Sequence, residues 1–365
     1  MEKLTFLAKG DSWYQKLGIE KTPQAREDGM RSDGQTGSYE WWYFDAEYPD
    51  GTKAVVGFYT KSGISTVSPP NPTTILTLTL PGGETIYKRI SEGEGKKIRA
   101  SRDICDVEIN NSSVKYDHGG YVIHYEDDEI TYDCVMEPKV PLWRPGTGHW
   151  VFGEEQKDFF AWFVPLASAA TKATLTVRGK TTELSGTGYH DHNWGNKELS
   201  ECFNHWYWCR AAVGDYTVIA VDIISAEKFG YLRLPVFYIA KDGVVLDDNE
   251  ERVVIERGKT ECHPLTDKFI DNDIVFIQHS ESGADYRIAF HRTGDIQVKS
   301  LLESIGYSPE KIAAAKQMGV NPTYIRCVGD VSFSVTEKGA PSVTEDHALW
   351  EQMFFGSNKD AVIKG

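Results

Sequence analysis

The chain has 365 residues, with 54 acidic and 39 basic side chains, a formal net charge of -15 and an isoelectric point near 5.2. This length is enough for two ordinary domains or one large one. The acidic balance argues against nucleic-acid binding as the main activity, because binding to phosphates relies on clustered Lys and Arg.

The beginning of the chain and its cysteines both favour a cytoplasmic protein. Residues 1–9 contain an apolar stretch that is too short for a signal peptide. No apolar run reaches the ~20 residues of a membrane helix, so we expect no transmembrane segment. Six cysteines are scattered without a C-x-x-C pair, and we interpret them as free, mostly buried thiols.

Most of the sequence consists of short β-branched and aromatic runs separated by Gly, Asp and Asn turn signals. No alternation of strands with helices is visible, so the pattern indicates an antiparallel sandwich or barrel. The predicted strands are residues 41–48, 54–60, 74–80, 114–116, 120–125, 173–177 and 217–224, with turns at 49–51 and 81–83.

Aromatic residues make up 12% of the chain, and residues 40–45 read Glu-Trp-Trp-Tyr-Phe-Asp. In a strand, Glu40 and Trp42 face one way and Trp41 faces the other, so both faces are aromatic. Such a strand can simply lie between a core and a second layer. The functional interpretation is that one face borders an apolar pocket with Glu40 at its rim.

Residues 142–150 form a Pro- and Gly-containing loop rich in aromatic side chains, among them Trp143. Loops often carry such residues for function, which predicts a lid or a pocket wall. A buried Ω-type loop has the same composition.

Residues 188–195 read Gly-Tyr-His-Asp-His-Asn-Trp-Gly. Consecutive polar side chains are poor core material, because each buried polar group needs a partner. We therefore predict a site here. In an extended strand, His190, His192 and Trp194 share one face.

The His-x-His spacing also suits a metal ion, with His205, Asp222 or Glu40 as the third ligand. Nothing in the sequence singles out one of these three residues, and we expect no metal. A structural alternative is that the two histidines and Asp191 anchor an inter-domain loop through hydrogen bonds.

Residues 205–213 and 216–224 are strand-like runs joined by a Gly-Asp pair, which predicts a two-residue hairpin. Its register places Tyr207 opposite Asp222, with His205 on the same face. Apolar neighbours disfavour a charged carboxylate, so Asp222 is our candidate for an acid that is protonated near neutral pH.

The alternative for this acid is an ionised Asp222 paired with Arg210 or Arg233. Arg210 points to the opposite face in the predicted register, which weakens that alternative.

Helical character is confined to the C-terminal part. Ser308, followed by Pro and Glu, predicts a helix that ends at Gly319. Residues 345–355 are a weaker helix candidate. The least patterned stretch is 195–201, which suggests a domain boundary near residue 200.

The motifs at 40–45 and 188–195 together resemble the carotenoid 1,2-hydratase (hydroxyneurosporene synthase) and AttH-like family. Kievitone hydratase and the lipocalin-like Diels-Alderases look like relatives. The resemblance implies two lipocalin-like barrel domains, a pocket at or near their junction and no organic cofactor. For the hydratases it also implies acid-catalysed addition of water to an isoprenoid C=C bond.

His192 and Trp194 match the His-x-Trp pattern of the family, and Asp222 falls within about one residue of its acidic strand position. The aromatic residue expected two positions before that acid falls on Ala220, so the sequence departs from the family there. In our interpretation the cross-strand Tyr207 replaces it.

We therefore predict an all-β protein of two lipocalin-like antiparallel β-barrel domains, residues 1–198 and 199–365, with one or two short helices near the C-terminus. We expect a cofactor-independent enzyme that hydrates or cyclises a hydrophobic isoprenoid, polyene or polyketide by acid catalysis. The predicted catalytic residues are Asp222, Tyr207, His192, His190 and Asp191. The predicted substrate-binding residues are Glu40, Trp41, Trp42, Trp143, Trp194, His205, Trp206 and Trp208. The alternatives are a Diels-Alderase-type pericyclase and a carrier without chemistry.

Overall fold

A computed structural model describes residues 4–61, 64–304, 307–337 and 340–355. These residues form two compact units. The N-terminal unit takes in Leu7–Val151 and Glu155–Glu198, and the C-terminal unit takes in the described residues from Leu199 onward with short segments at 4–6 and 152–154. The predicted domain boundary at residues 198 and 199 stays a prediction. Among the helices of the described ranges, none is long and apolar enough to cross a membrane.

The first sheet contains thirteen strands within the described residues. They are Thr5–Leu7 (β1), Tyr39–Glu47 (β2), Lys53–Tyr59 (β3), Thr73–Thr79 (β4), Thr85–Ser91 (β5), Arg99–Ala100 (β6), Asp106–Ile109 (β7), Ser112–Asp117 (β8), Gly120–Glu126 (β9), Ile130–Pro138 (β10), His149–Phe152 (β11), Asp158–Val177 (β12) and Lys180–Gly195 (β13). Their order is β5-β4-β3-β2-β13-β12-β10-β9-β8-β7-β6, while β11 pairs with β1 and β12.

One hydrophobic core fills the inner side of this sheet. Strands near both ends of the strand order contribute to it, for example Leu76 in β4 and Val107 in β7. A sheet whose distant strands bury side chains in one cluster must curl around that cluster. Burial of each Val, Leu or Phe side chain contributes roughly 1.5–3 kcal/mol.

The second sheet is an antiparallel sheet of nine strands in the described part of the chain. They are Phe203–Val213 (β14), Tyr216–Ser225 (β15), Arg233–Lys241 (β16), Val244–Asp247 (β17), Val253–Cys262 (β18), Phe269–His279 (β19), Asp285–Ser300 (β20), Thr323–Glu337 (β21) and Ala340–Phe354 (β22). Their order is β17-β16-β15-β14-β22-β21-β20-β19-β18. Phe237 of β16 and Phe276 of β19 share its core.

Helices are short. The α-helices are Asp11–Leu17 (α1), Leu199–Cys202 (α2), Leu301–Ser304 (α3) and Pro309–Gln317 (α4), and 3-10 turns occupy Ala25–Asp28, Glu227–Phe229 and Glu250–Arg252. The helix predicted after Ser308 is confirmed, because the Ser308 hydroxyl accepts from the Lys311 amide and Pro309 opens the helix. The prediction of an all-β fold with short helices near the C-terminus is confirmed.

The second helix candidate, residues 345–355, is wrong. This segment belongs to β22, which pairs with β14 on one side and β21 on the other. Trp350 and Ala348 bury their side chains in the core, two residues apart as in a strand. Pairing on both sides outweighs the weak local preference for a helix.

A buried ion pair joins the turn Ala25–Asp28 to the loop before β11. Arg144 Nε lies 2.7 Å from Glu27 Oε2, and both side chains are almost fully buried. The guanidinium also donates to the backbone carbonyls of Gly146 and Glu20. These bonds fix the aromatic loop to the body of the N-terminal unit.

Arg144→Met should lower the free energy of unfolding by about 3–5 kcal/mol, because the Glu27 carboxylate is left buried without its counter-charge. The measurement is urea unfolding followed by circular dichroism. The double variant Glu27→Gln/Arg144→Met should recover part of this loss. Arg178→Met, which breaks an exposed pair with Glu84, is the matched control and should change stability by about 0.5 kcal/mol or less. Equal stability of Arg144→Met and Arg178→Met would contradict this role.

Candidate functional site

Strand β13 lies between β2 and β12 and carries most of the predicted site. His190 pairs with Phe44 and His192 with Trp42, and both of these partners belong to the buried core. The two histidines therefore face inward, on one face of an extended strand, as predicted from the sequence. Asp191, between them, faces the opposite side of the sheet.

The inward-facing group is a histidine cluster formed by Asp28, Glu40, His190 and His192. His190 Nδ1 lies 2.9 Å from the carbonyl oxygen of Tyr43, and its Nε2 lies 2.9 Å from Asp28 Oδ2. Both ring nitrogens face oxygen acceptors, so these partners assign a proton to each. The Asp28 carboxylate is therefore a direct hydrogen-bond partner of the His190 ring.

His192 lies between two carboxylates. Its Nε2 is 2.7 Å from Glu40 Oε1, and its Nδ1 is 3.2 Å from Asp28 Oδ1. Burial lowers the pKa of His192, but hydrogen bonds to Asp28 and Glu40 outweigh burial and the net shift is upward. Burial raises the pKa of Asp28, and the two imidazoles more than reverse this, leaving that pKa well below its usual range.

Aromatic rings close this cluster off from solvent. Phe44 stacks on His190 with centroids 3.8 Å apart, and Trp42 stacks on His192 at 4.6 Å. The Tyr121 hydroxyl donates to Asp28 at 2.6 Å. No side chain of the cluster is more than 1% exposed.

One prediction is corrected by this geometry. Glu40 is not at a pocket rim, because it is buried and accepts hydrogen bonds from the amides of Arg31 and Ser32 as well as contacting His192. The predicted role of His190 and His192 as bases stays a prediction, while both nitrogens of His190 and Nε2 of His192 face oxygen acceptors in the structure.

The structure brings together a different set of possible metal ligands from the His-x-His pair considered from the sequence. Asp28, Cys105 and His190 bring a carboxylate oxygen, a sulfur and a ring nitrogen within 4.8 Å of one another. An ion at this point would have to replace the direct hydrogen bond between Asp28 and His190. Of the third ligands considered from the sequence, Glu40 contacts only His192 of the two histidines.

The opposite side of β13 belongs to an aromatic face. Two cross-strand rows define it: Trp162, Asn193, Trp41 and Tyr59 in one, and Asp191, Tyr43 and Gly57 in the other. Trp41 stacks on Tyr59 with centroids 6.4 Å apart and tilts against Phe160 at 6.2 Å. Trp41, Tyr43 and Tyr59 are only half-buried.

Asp191 is the one carboxyl in the centre of these two rows. It accepts hydrogen bonds from Trp162 Nε1 at 2.9 Å, the Tyr189 hydroxyl at 2.9 Å and Asn193 Nδ2 at 2.8 Å. Burial raises the pKa of Asp191 to about 6, although these donors and the charge of His190 oppose the rise. Its donors are neutral, so this buried acid has no direct cationic partner among them.

The C-terminal unit holds the other predicted residues. The hairpin register is confirmed, with Tyr207 opposite Asp222. However, the Tyr207 hydroxyl donates to Asp271 at 3.1 Å and accepts from Gln352 Nε2 at 2.6 Å and from the Asp271 amide at 2.9 Å. The expected partnership of Tyr207 with Asp222 is therefore replaced by one with Asp271.

Asp222 is fully buried between two guanidinium groups. Arg233 Nε lies 3.0 Å from Oδ1, and Arg257 Nε lies 3.4 Å from Oδ2. Burial raises the pKa of Asp222, while both arginines oppose the rise. The contact with Arg233, weighed above as an alternative, is present, and the net shift of the Asp222 pKa is nevertheless upward, in the direction predicted from the sequence. His205 donates from Nδ1 to Asn204 and faces Arg257 with Nε2, and burial holds its pKa well below the usual value.

The remaining predicted contacts lie at separate places. Trp143 packs edge-on against Trp162, 5.7 Å between centroids, and so supports the aromatic face. Trp194 lies on the inner side against His192. Trp206 Nε1 donates to Glu351, and Trp208 lies beneath the Arg210 guanidinium.

Sequence reasoning missed Asp28, Trp162 and Arg257. The two inward histidines signalled that a buried acid must exist, but nothing in residues 25–28 marks Asp28 as that acid. Trp162 belongs to the aromatic run of residues 159–163, which carries no functional signal of its own. Arg257 is 35 residues from Asp222 along the chain and lies in β18, which is not a neighbour of β15 in the sheet order, so the contact depends on how the sheet curls.

The profile of a family described as Diels-Alderase-like matches residues 30–260. The quinolone epoxide rearrangement protein of Penicillium thymicola is 37% identical over 57 residues, 16% of either chain. The acyclic carotenoid 1,2-hydratase of Rubrivivax gelatinosus is 22% identical over 206 residues, 53% of this chain and 50% of its own. The chain thus spans half or less of the length of these relatives.

Solved structures share the fold at low identity. The AttH-type protein of Nitrosomonas europaea matches with a TM-score of 0.58 and 17% identity, covering 87% of this chain and 92% of that one. CghA with Sch210972 gives 0.61 and 13%, covering 97% and 99%. Kievitone hydratase of Nectria haematococca gives 0.54 and 14%, covering 92% and 97%. The expected lipocalin-like fold is confirmed by these likenesses.

The raised pKa of His192 makes stability depend on pH. His192 has a higher pKa in the folded than in the unfolded state. Its contribution to the free energy of unfolding is therefore complete below the unfolded-state pKa of about 6.5 and is lost as pH rises through the folded-state pKa. Wild-type protein should therefore lose free energy of unfolding above pH 6.5, measured by urea unfolding at several pH values. In Glu40→Gln this loss should be smaller and should end at lower pH, while in the exposed control His279→Gln it should persist. An unchanged profile in Glu40→Gln would refute the charge pairing.

Proposed function

We propose, from the premise that this chain belongs to the Diels-Alderase-like family, that it is a cofactor-independent enzyme of the hydratase or cyclase type. Its substrate is an apolar isoprenoid, polyene or polyketide that lies on the aromatic face. Asp191 is the acid that donates a proton to it. The relatives support this class of reaction, since their names describe a hydratase and an epoxide rearrangement.

The observation that carries the proposal is the environment of Asp191. Its carboxyl is buried among Trp162, Tyr189 and Asn193, whose side chains are all neutral donors. Burial raises the pKa of Asp191 to about 6, which leaves a useful fraction protonated near neutral pH. An acid of this kind can protonate a C=C bond or an epoxide oxygen, which a solvated carboxylate does poorly.

The rings around Asp191 suit the charge that such a protonation creates. Transfer of the proton to an alkene leaves a carbocation, and opening of a protonated epoxide leaves similar positive charge on carbon. The faces of Trp41, Tyr43 and Tyr59 attract a cation without forming a bond to it, at roughly 0.5–2 kcal/mol each. Water then adds to the cation in a hydration, whereas an internal double bond adds in a cyclisation.

A pericyclase is the second candidate, favoured by the breadth of the aromatic face. Four cross-strand neighbours, Trp162, Asn193, Trp41 and Tyr59, form one continuous row. Such a surface can hold a diene against a dienophile, and close approach alone can lower the barrier. In that case Asp191 is only a hydrogen-bonding group at the edge of the substrate.

Asp191→Asn should lower turnover at least about 100-fold, because the amide keeps the shape of the group but has no acidic proton. The measurement is product formation from an acyclic isoprenoid alkene, an isoprenyl epoxide and a linear triene, followed by mass spectrometry. Asp222→Asn is the matched comparison, a second buried carboxyl, and should keep the turnover of whatever fraction folds. Full activity of Asp191→Asn together with loss of activity in Asp222→Asn would identify Asp222 as the proton donor instead. Substrate recovered unchanged from wild-type protein with every probe would favour a carrier.

The pH profile gives an independent test. An acid must be protonated to act, so kcat/KM should fall about tenfold per pH unit above the Asp191 pKa of about 6 and level off below it. Asp191→Glu should retain some activity with a shifted midpoint. A profile that rises with pH through 6 to 8 would refute an acid role.

Solvent deuterium separates the two candidate reactions. Hydration or cyclisation started by protonation of carbon places one deuterium from D2O on a carbon of the product, whereas a pericyclic reaction incorporates none. Trp41→Ala should weaken both reactions, because each needs the aromatic face. A product free of deuterium, with Asp191→Asn active and Trp41→Ala inactive, would favour the pericyclase.

A further inference from the structure

Two strand glycines each lie beneath a tyrosine ring, on the side of the sheet that carries the aromatic face. Gly57 in β3 is followed two residues later by Tyr59, and Gly195 in β13 pairs with Tyr39 in β2. A Cβ atom added at Gly57 would lie 2.6 Å from Tyr59 Cε2 and 3.1 Å from the hydroxyl oxygen. One added at Gly195 would lie 2.5 Å from the Tyr39 hydroxyl oxygen. A side chain at either position would therefore collide with the ring above it.

Backbone conformation does not explain the glycine at position 57. Its φ lies outside the left-handed region. It stands in a regular part of β3, where it pairs with Tyr43 on one side and Ile75 on the other. Glycine weakens the middle of a strand, and it often marks a place where another group approaches the backbone closely. Here that group is the Tyr59 ring.

The Tyr59 ring consequently lies along β3, close to the backbone. Side chains of a strand ordinarily stand roughly perpendicular to the sheet. The outer edge of the Tyr59 ring is instead above Gly57, two residues back along the strand. The Trp41 ring is nearly parallel to it, with 15° between the planes and 6.4 Å between the centroids. We call Trp41 and Tyr59 the ring pair; both are half-buried, so part of each is open to a ligand.

Gly57 also connects the ring pair to the proposed acid. It pairs with Tyr43, and Tyr43 pairs with Asp191. Neighbouring strands are about 5 Å apart, so Gly57 and Asp191 are separated by roughly 10 Å. Because the Tyr59 ring leans over Gly57, it reaches from its own row of the aromatic face into the row of Asp191. A ligand that contacts Asp191 can therefore extend over the ring pair.

We propose that Gly57 is a specificity-determining residue, and that the substrate has a planar conjugated segment, a polyene or an aromatic ring, that lies against the ring pair. This inference rests on the proposed function and narrows its substrate class. Aromatic rings prefer offset stacking on other flat π-systems, and two nearly parallel rings can contact one planar segment together. A saturated chain has no flat face and gains less from such rings.

The first test measures binding, so that it does not depend on turnover. The probes are trans-parinaric acid, a conjugated tetraene, and stearic acid, which has the same chain length and carboxylate but is saturated. Isothermal calorimetry with the full chain should show at least about tenfold tighter binding of the tetraene. Gly57→Ala should remove most of this preference, because the added methyl group displaces the Tyr59 ring. Absence of a preference in the wild-type protein, including no binding of either probe, would overturn the proposal.

A double-variant cycle tests whether Gly57 acts through Tyr59. With Tyr59→Ala in place there is no ring to displace, so Gly57→Ala should change the preference for the tetraene by less than about twofold. Equal effects of Gly57→Ala with and without Tyr59→Ala would contradict the proposal. Tyr59→Leu alone removes the ring while keeping Gly57, and it should lower the preference as much as Gly57→Ala does. Circular dichroism checks that each variant folds.

Gly258→Ala is the matched control. Gly258 lies in β18 of the C-terminal unit, and a Cβ atom added there would meet Asp273 Cβ at 4.0 Å, an ordinary contact. Its replacement should leave the preference for the tetraene unchanged. A loss of preference in Gly258→Ala equal to that in Gly57→Ala would contradict a specific role of Gly57.

Binding and turnover together separate this inference from the proposed function. Selective binding of the tetraene by a protein that returns every reaction probe unchanged would refute the proposed catalysis and keep the substrate class. Turnover of the acyclic isoprenoid alkene without selective binding of the tetraene would keep the catalysis and refute the substrate class.

Discussion

The interaction on which the N-terminal unit depends is the buried pairing of two carboxylates with two imidazoles. Imidazoles and carboxylates alternate in the order His190, Asp28, His192 and Glu40 along a chain of contacts between 2.7 and 3.2 Å. Any one of these groups alone would cost several kcal/mol to bury. Together they are mutually compensated, so removal of one partner leaves another without its counter-charge.

This pairing also has a geometric consequence. His190 and His192 belong to β13, Glu40 belongs to β2, and Asp28 ends a 3-10 turn. The cluster therefore fixes two adjacent strands and the preceding turn to one another. Because strand side chains alternate, locking His190 and His192 inward fixes Asp191 outward. The histidine cluster therefore positions Asp191, the acid in the two rows of the aromatic face.

The sequence predicts structural features that depend on local periodicity, such as a hairpin register. It predicts fewer of the contacts that depend on partners distant along the chain. The pairing of Tyr207 with Asp222 follows from a two-residue turn, and the structure contains it. The hydrogen bond from Tyr207 to Asp271 requires knowledge that β19 faces β14 across the core, which no local pattern encodes. Asp28 was missed for the same reason, since its histidine partners lie more than 160 residues away.

Segment 345–355 shows that partners distant along the chain also decide secondary structure. Its weak helical preference is overridden by ladders to β14 and β21, which come from distant parts of the chain. The resemblance to a known family supplied the lipocalin-like fold, because a family motif carries information on distant contacts that composition does not.

Asp191 and Asp222 show why burial alone does not make a carboxyl an acid catalyst. Both are buried, and burial raises the pKa of each. Asp222 has guanidinium nitrogens at 3.0 and 3.4 Å, and their charges oppose the rise in pKa that burial causes. Asp191 is held by an indole, a phenol and an amide, which orient the carboxyl without neutralising it. A catalytic acid must regain its proton after each turnover, and neutral donors permit this where guanidinium groups oppose it.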